Sequence, residues 1–295
     1  MSLRVFLLVA LLLLAGSAAG ALVLEDGGTH LVDTDQTGKE GGVQVHDGPG
    51  PASTTVTVSA TLERGASVTG ISSLTLDGTT TGGSVFALDD AELAVMHSDV
   101  GNDVFANHTT TVTVHDVTVL NNIFALGYAQ IDVSQATVGD PVDTGGRNIF
   151  ANDAGHITVH TGSVVLDDVF TNDSATIVIE DAEIGQRMFA NGSSRIDFSG
   201  GSVALDIQSN GTSVVRIFGV DFAVDGTAVP FGPVAALSGT LTGELADGSP
   251  LDNAFTRQEM ATILLEEVPE PAAPLLLLAG AAVLAGRRGG SSPTC

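Results

Sequence analysis

Between residues 54 and 251 apolar and polar positions recur with a period near nineteen. Phenylalanines stand at 86, 105, 124, 150, 170 and 189, and their surroundings keep step: Phe105-Ala106-Asn107, Phe150-Ala151-Asn152, Phe170-Thr171-Asn172, Phe189-Ala190-Asn191. Gln208-Ser209-Asn210 continues the register without a ring. Counted from each anchor, position +7 is Leu93, Val112, Ile131, Ile157, Ile177, Ile196 and Val215, and position +9 is Val95, Val114, Val133, Val159, Ile179, Phe198 and Ile217. Position +14 is Val100, Val119, Val138, Val164, Ile184, Val203 and Phe222, with Leu241 one unit later. All are apolar and mostly β-branched, and +7 and +9 alternate with polar or small residues in most copies, which is the period of a strand.

A repeat this short cannot close a core of its own, so each unit must stack on its neighbours. Three short extended segments per unit predict an all-β fold, a right-handed parallel β-helix with ~19-residue coils rising about 4.8 Å each and with its apolar columns inside. The period is too long for the six-residue left-handed type. Asn107, Asn152, Asn172, Asn191 and Asn210 fall in one turn column, where stacked amides can bond from coil to coil and Asn tolerates the left-handed conformation. The predicted division is residues 22–53 as an N-terminal cap, 54–251 as β-helix and 252–267 as a linker, with 241–251 a closing turn. A 26-residue gap between Phe124 and Phe150 adds seven residues around 139–147, a loop projecting from an even solenoid.

The two ends read differently. Arg4, the apolar run Phe6 to Leu14 and the small residues that follow predict a secretory signal helix over residues 1–21. At the other end, Pro269-Glu270-Pro271 is followed by an uncharged Leu- and Ala-rich stretch from Ala272 to Gly286 and then by Arg287 and Arg288. The stretch is shorter than the ~20 residues of a free-standing membrane span, and the arginines behind it would stay cytoplasmic. Residues 268–295 resemble the PEP-CTERM sorting signal, departing from it in the seven residues after the arginines. The resemblance implies recognition by an exosortase, a membrane-embedded cysteine protease-transpeptidase. The chain would cross the inner membrane, be anchored transiently by its C-terminal transmembrane-like helix, and be released to the outer surface or the medium. Exopolysaccharide or another surface matrix is the partner this implies.

Composition narrows the function further. The chain has 35 Asp+Glu against 10 Lys+Arg and a formal charge of -25, which excludes phosphate-backbone binding. Cys295 is the only cysteine, so neither a disulfide framework nor a cysteine metal site is available, and no cofactor fingerprint is present. His115 and His160 share the +10 column, but Ser134 lies between them, two coils or about 10 Å apart, too far to share one ion. Four Asn-x-Ser/Thr triplets begin at Asn107, Asn172, Asn191 and Asn210 and belong to the turn column. For an enzyme the candidates are Glu180 and Asp181, with Asp197, whose neighbour Arg216 reads as a cross-strand ion pair. With no Trp and a single Tyr128, platforms for sugars are few. The sequence therefore predicts no catalytic, cofactor or metal residue, and a structural or adhesive surface or matrix protein. A polysaccharide lyase or hydrolase on the same fold is the alternative, and a calcium-dependent binder a third class.

Overall fold

The computed structural model of the chain describes residues 21–36, 42–50, 52–140, 142 and 147–268. The signal segment, Pro269, Glu270, Pro271, the apolar tail, Arg287 and Arg288 lie outside the described residues. Within them the protein is a parallel β-solenoid of about ten turns, with no helix.

Each turn lays one short strand on a first sheet and one or two on a second. The first sheet runs through Val85–Ala87, Val104–Ala106, Ile123–Ala125, Ile149–Ala151, Val169–Thr171 and Met188–Ala190, in register throughout. Facing it, the +7 and +9 residues pair column on column, Ile131 with Ile157, Ile157 with Ile177, Ile177 with Ile196 and Ile196 with Val215. These columns are buried and fill the bore from the second sheet.

The phenylalanines, read from the sequence as a structural ladder, form a column apart from the interior ones. In each first-sheet strand the residues at −1 and +1 are buried, such as Ile149 and Ala151 around Phe150, or Met188 and Ala190 around Phe189. Side chains alternate along a strand, so the rings stand on the outer face. There Phe124, Phe150, Phe170 and Phe189 stack with centroids 5.0, 5.0 and 4.8 Å apart and planes within 6° of parallel. Three successive apolar residues do not reveal which face is inward. From this side the bore is filled mainly by valine, isoleucine and alanine, with Met188 and Thr171 once each and Phe255 at the last rung.

Two other columns shift. In the twenty-residue coil after Phe150 the buried partner of Val138 is Val165, not Val164, because the coil's extra residue is spent in the turn at Gly162, which has φ 79°. The left-handed residue of the anchor turn is also one place later than the Asn column. It falls at Asp89, His108, Gly127, Asp153, Asp173, Gly192 and Gly211, which frees the Asn amides to point along the axis.

The ends revise the predicted boundaries. Leu22–Leu24 and Thr29–Val32 already pair in parallel with Val43–Val45 and Thr55–Val58, so the described strands of the predicted cap are rungs of the solenoid. Phe222 and Leu241 leave the +14 column: Val214–Val224 runs straight on and is met antiparallel by Ser238–Leu245, which hairpins into Pro250–Arg257. The predicted linker is likewise structured. Pro250–Arg257 forms the last rung of the first sheet, against Asp206–Ser209, and Thr262–Glu266 the last rung of the second. Leu251, Phe255, Ile263 and Leu265 are buried there, and Asn253 Nδ2 donates to Val203 O at 2.6 Å. Alternation at Leu251, Asn253 and Phe255 is the strand signal in that stretch.

Candidate functional site

Polar ladders flank the phenylalanine column on both sides. On one, Asn172 Nδ2 donates to Asn152 Oδ1 at 2.7 Å, Asn191 to Asn172 at 3.2 Å and Asn210 to Asn191 at 3.0 Å. Asn107 stands apart, because Leu126 occupies the next coil and its own Oδ1 accepts from the His108 backbone at 2.8 Å. Since the Asn172, Asn191 and Asn210 amides donate within the ladder, their triplets have a structural use.

The other ladder, at position −2, had not been singled out from the sequence. Asn122 N donates to Asp103 Oδ1, Asn148 N to Asn122 Oδ1, Asp168 N to Asn148 Oδ1 and Arg187 N to Asp168 Oδ1, all between 2.9 and 3.1 Å. A polar residue two places before every anchor, from Ser84 to Asp206, was the available signal. Burial pushes the Asp168 carboxyl up, against the pull of the Arg187 amide. Of the described residues in the 139–147 segment, Val142 is exposed, whereas Arg147 is buried at this edge and its N–H reaches Asp167 Oδ2 at 3.1 Å.

The enzyme candidates lie on the outer face of the second sheet. Glu180 Oε2 is held by His160 Nδ1 at 2.7 Å, and Asp132 Oδ1 lies 3.6 Å from the other ring nitrogen. Asp197 lies opposite Val178 and Arg216. Its Oδ2 receives Arg195 at 3.1 Å and Arg216 at 3.5 Å, while Arg216 grips Glu266 through two bonds of 3.0 and 2.6 Å and lies over the Phe218 ring. Asp197 is only 9% exposed and its Oδ1 is buried without a hydrogen-bond partner. Burial therefore pushes Asp197 above the usual carboxylate range, with the two arginines pulling the other way. Glu180 and Asp197 are not joined by any bond or ion pair among the described residues, and Asp181 has no part in either group.

His115 meets Ser134 at 2.9 Å, so the interruption of the histidine column stands as predicted. His115 and His97 rings touch edge to face at 6.0 Å, and the Asp77 carboxylate, 2.9 Å from His97, raises the His97 pKa. No group of three or more His, Cys, Asp or Glu among the described residues is placed to hold a metal ion, and no helix among them is long and apolar enough to cross a membrane.

A depression of about 300 Å³ opens at the N-terminal foot of the phenylalanine column. Its lining includes Arg64, Ser67, Ser84, Phe86 and Asn102, with Gly42, Gly65 and Gly83 along one wall. A Cβ on Gly65 would sit 1.7 Å from the Ser84 carbonyl, so this wall is backbone by necessity. No protein-family model, curated protein or solved structure matches the chain.

Proposed function

We propose that the protein is an exported, exosortase-processed surface or extracellular matrix component, structural or adhesive in action, built on a right-handed coil. It works by presentation. About ten in-register turns form a stiff body whose ordered exterior of phenylalanine, asparagine and aspartate columns repeats once per coil. That repeat is the observation that carries the reading, because a partner can be engaged at several rungs at once, and linked weak contacts gain by effective concentration. The PEP-CTERM-like tail supports export and release, and the implied partner is exopolysaccharide or another surface matrix. The test is the mature C-terminus, read by mass spectrometry from cells with and without an exosortase. Loss of the tail only where the exosortase is present is expected, and an intact Cys295 in the normal host overturns the sorting step.

Asp197 favours a second reading, a polysaccharide lyase or hydrolase. A carboxyl with a raised pKa suits general acid catalysis, although structural ion-pair networks perturb pKa values as well. Reducing ends released from acidic and neutral polysaccharides, with Glu180→Gln and Asp197→Asn as variants, decide between the two. Release that falls in both variants establishes the enzyme, and no release from the parent protein removes it.

A further inference from the structure

The outer column of the first sheet reads Gln44, Ser67, Phe86, Phe105 and onward, so the ring series stops one rung above Ser67. Inside the column each ring is covered on both sides. Phe86 has a ring neighbour on one side only, Phe105 at 5.8 Å and tilted by 52°, and its other side borders the depression. We propose that this depression binds a sugar ring bearing a carboxylate, a hexuronate unit of an acidic glycan, which takes the ring position that Ser67 leaves open.

Three observations converge on that chemistry. The negative face of Phe86 suits the weakly positive C–H groups of a pyranose, whereas Phe124, Phe150 and Phe170, further up the column, spend their faces on stacked neighbours. The Ser67 hydroxyl, on a residue 6% exposed, has no hydrogen-bond partner among the described residues, and an aromatic ligand would leave it so, at a cost. Arg64 is exposed and has no ion pair or hydrogen bond among the described residues. The other described arginines are engaged: Arg187 with Asp206, Arg195 with Asp197, Arg216 with Glu266, Arg257 with backbone carbonyls, and Arg147 with a partner of its own. In a chain of charge -25 an uncommitted guanidinium beside an apolar hollow is a ready counter-ion for a carboxylate. The neighbouring carboxylates are occupied, Asp103 by Ser84 and Asn122 and Glu63 by a contact of its own.

The inference rests on the matrix reading and gives it a ligand class. Titration calorimetry of the full chain with a short oligogalacturonate and with a neutral cello-oligosaccharide of equal length tests it, at physiological salt so that the body's own charge is screened. The acidic oligomer is expected to bind about tenfold more tightly, a difference of ~1.4 kcal/mol. Arg64→Gln should erase that preference while the melting temperature holds, and Phe86→Leu, which keeps an apolar side chain but removes the ring face, should weaken binding of both oligomers. Equal affinity for the two oligomers, no binding, or a preference that survives Arg64→Gln overturns the inference. None of these outcomes touches the matrix reading, which falls on the mature C-terminus instead.

Discussion

At the scale of single residues, burial and partner count separate groups that look alike in the sequence. Asp197 and Glu180 are both outward carboxylates, yet Asp197 is desolvated and Glu180 is held at the surface by His160. Because burial raises Asp197 above its ordinary 3.8, the folded state holds that proton more tightly than the unfolded chain. The stability tied to it is complete below 3.8 and is lost as the pH rises through the elevated folded value. Asp197→Asn keeps the shape and removes the ionisation. Its melting temperature relative to the parent should therefore climb with pH across that window, whereas a constant offset would mean that Arg195 and Arg216 fully offset the burial. The asparagines offer a second contrast. Asn172→Ala strips two amide bonds from the ladder and should cost about 1–3 kcal/mol in denaturant unfolding. Asn107→Ala, outside the ladder beneath Leu126, should cost clearly less. The sequence places these five asparagines in one column with Leu126 standing in for Asn after Phe124, and the hydrogen bonds show which of them that break leaves joined.

At the scale of strands and coils, most of the architecture was legible because its signal is periodic. Residues at +7 and +9 alternate with polar or small residues in most coils, and their shared column with coils that do alternate fixes the orientation of Ile177, whose neighbour Val178 is apolar. Ile177, stacked between Ile157 and Ile196, illustrates the consequence: Ile177→Ala should lose about 2–5 kcal/mol, read from urea melts, and Ile177→Asp should abolish cooperative unfolding. The three-residue anchor strands carry no alternation, so the sequence did not say which face the phenylalanines take, and they stand outside. The C-terminal elements escaped the repeat because they do not belong to it. Ser238–Leu245 breaks the repeat by running antiparallel between Val214–Val224 and Pro250–Arg257, and a solenoid needs such a cover because an open rung is a template for pairing. Leu241 is fully buried under this hairpin, so Leu241→Asp should lift the hairpin and expose the rung. Larger species should then appear in light scattering, while Thr240→Asp, at an exposed position of the same strand, should keep the parent mass. Unchanged mass in both would show that the hairpin does not guard the edge.

For the whole molecule the deciding quantity is charge. Only seven basic residues lie between Leu22 and Pro269 (Lys39, Arg64, Arg147, Arg187, Arg195, Arg216 and Arg257), so loss of both ends leaves a body more acidic than the precursor. A rod of this kind stays soluble through self-repulsion, and the same repulsion opposes the compact state. Added salt screens it over a Debye length of ~10 Å at 0.1 M, so the melting temperature should rise with sodium chloride and level off as screening becomes complete. A divalent ion acting as general counter-charge should raise it further in a graded way, with magnesium and calcium alike. A calcium site built for one ion predicts something else: a calcium-specific rise that follows a binding isotherm and is already present at saturating sodium chloride, where diffuse electrostatics no longer contributes. With no cluster of three acidic or histidine ligands among the described residues, the graded response is the expected one. A steep calcium-specific shift in the salt-saturated melt would instead move the protein into the class of calcium-dependent binders, with the acidic columns as its ligands.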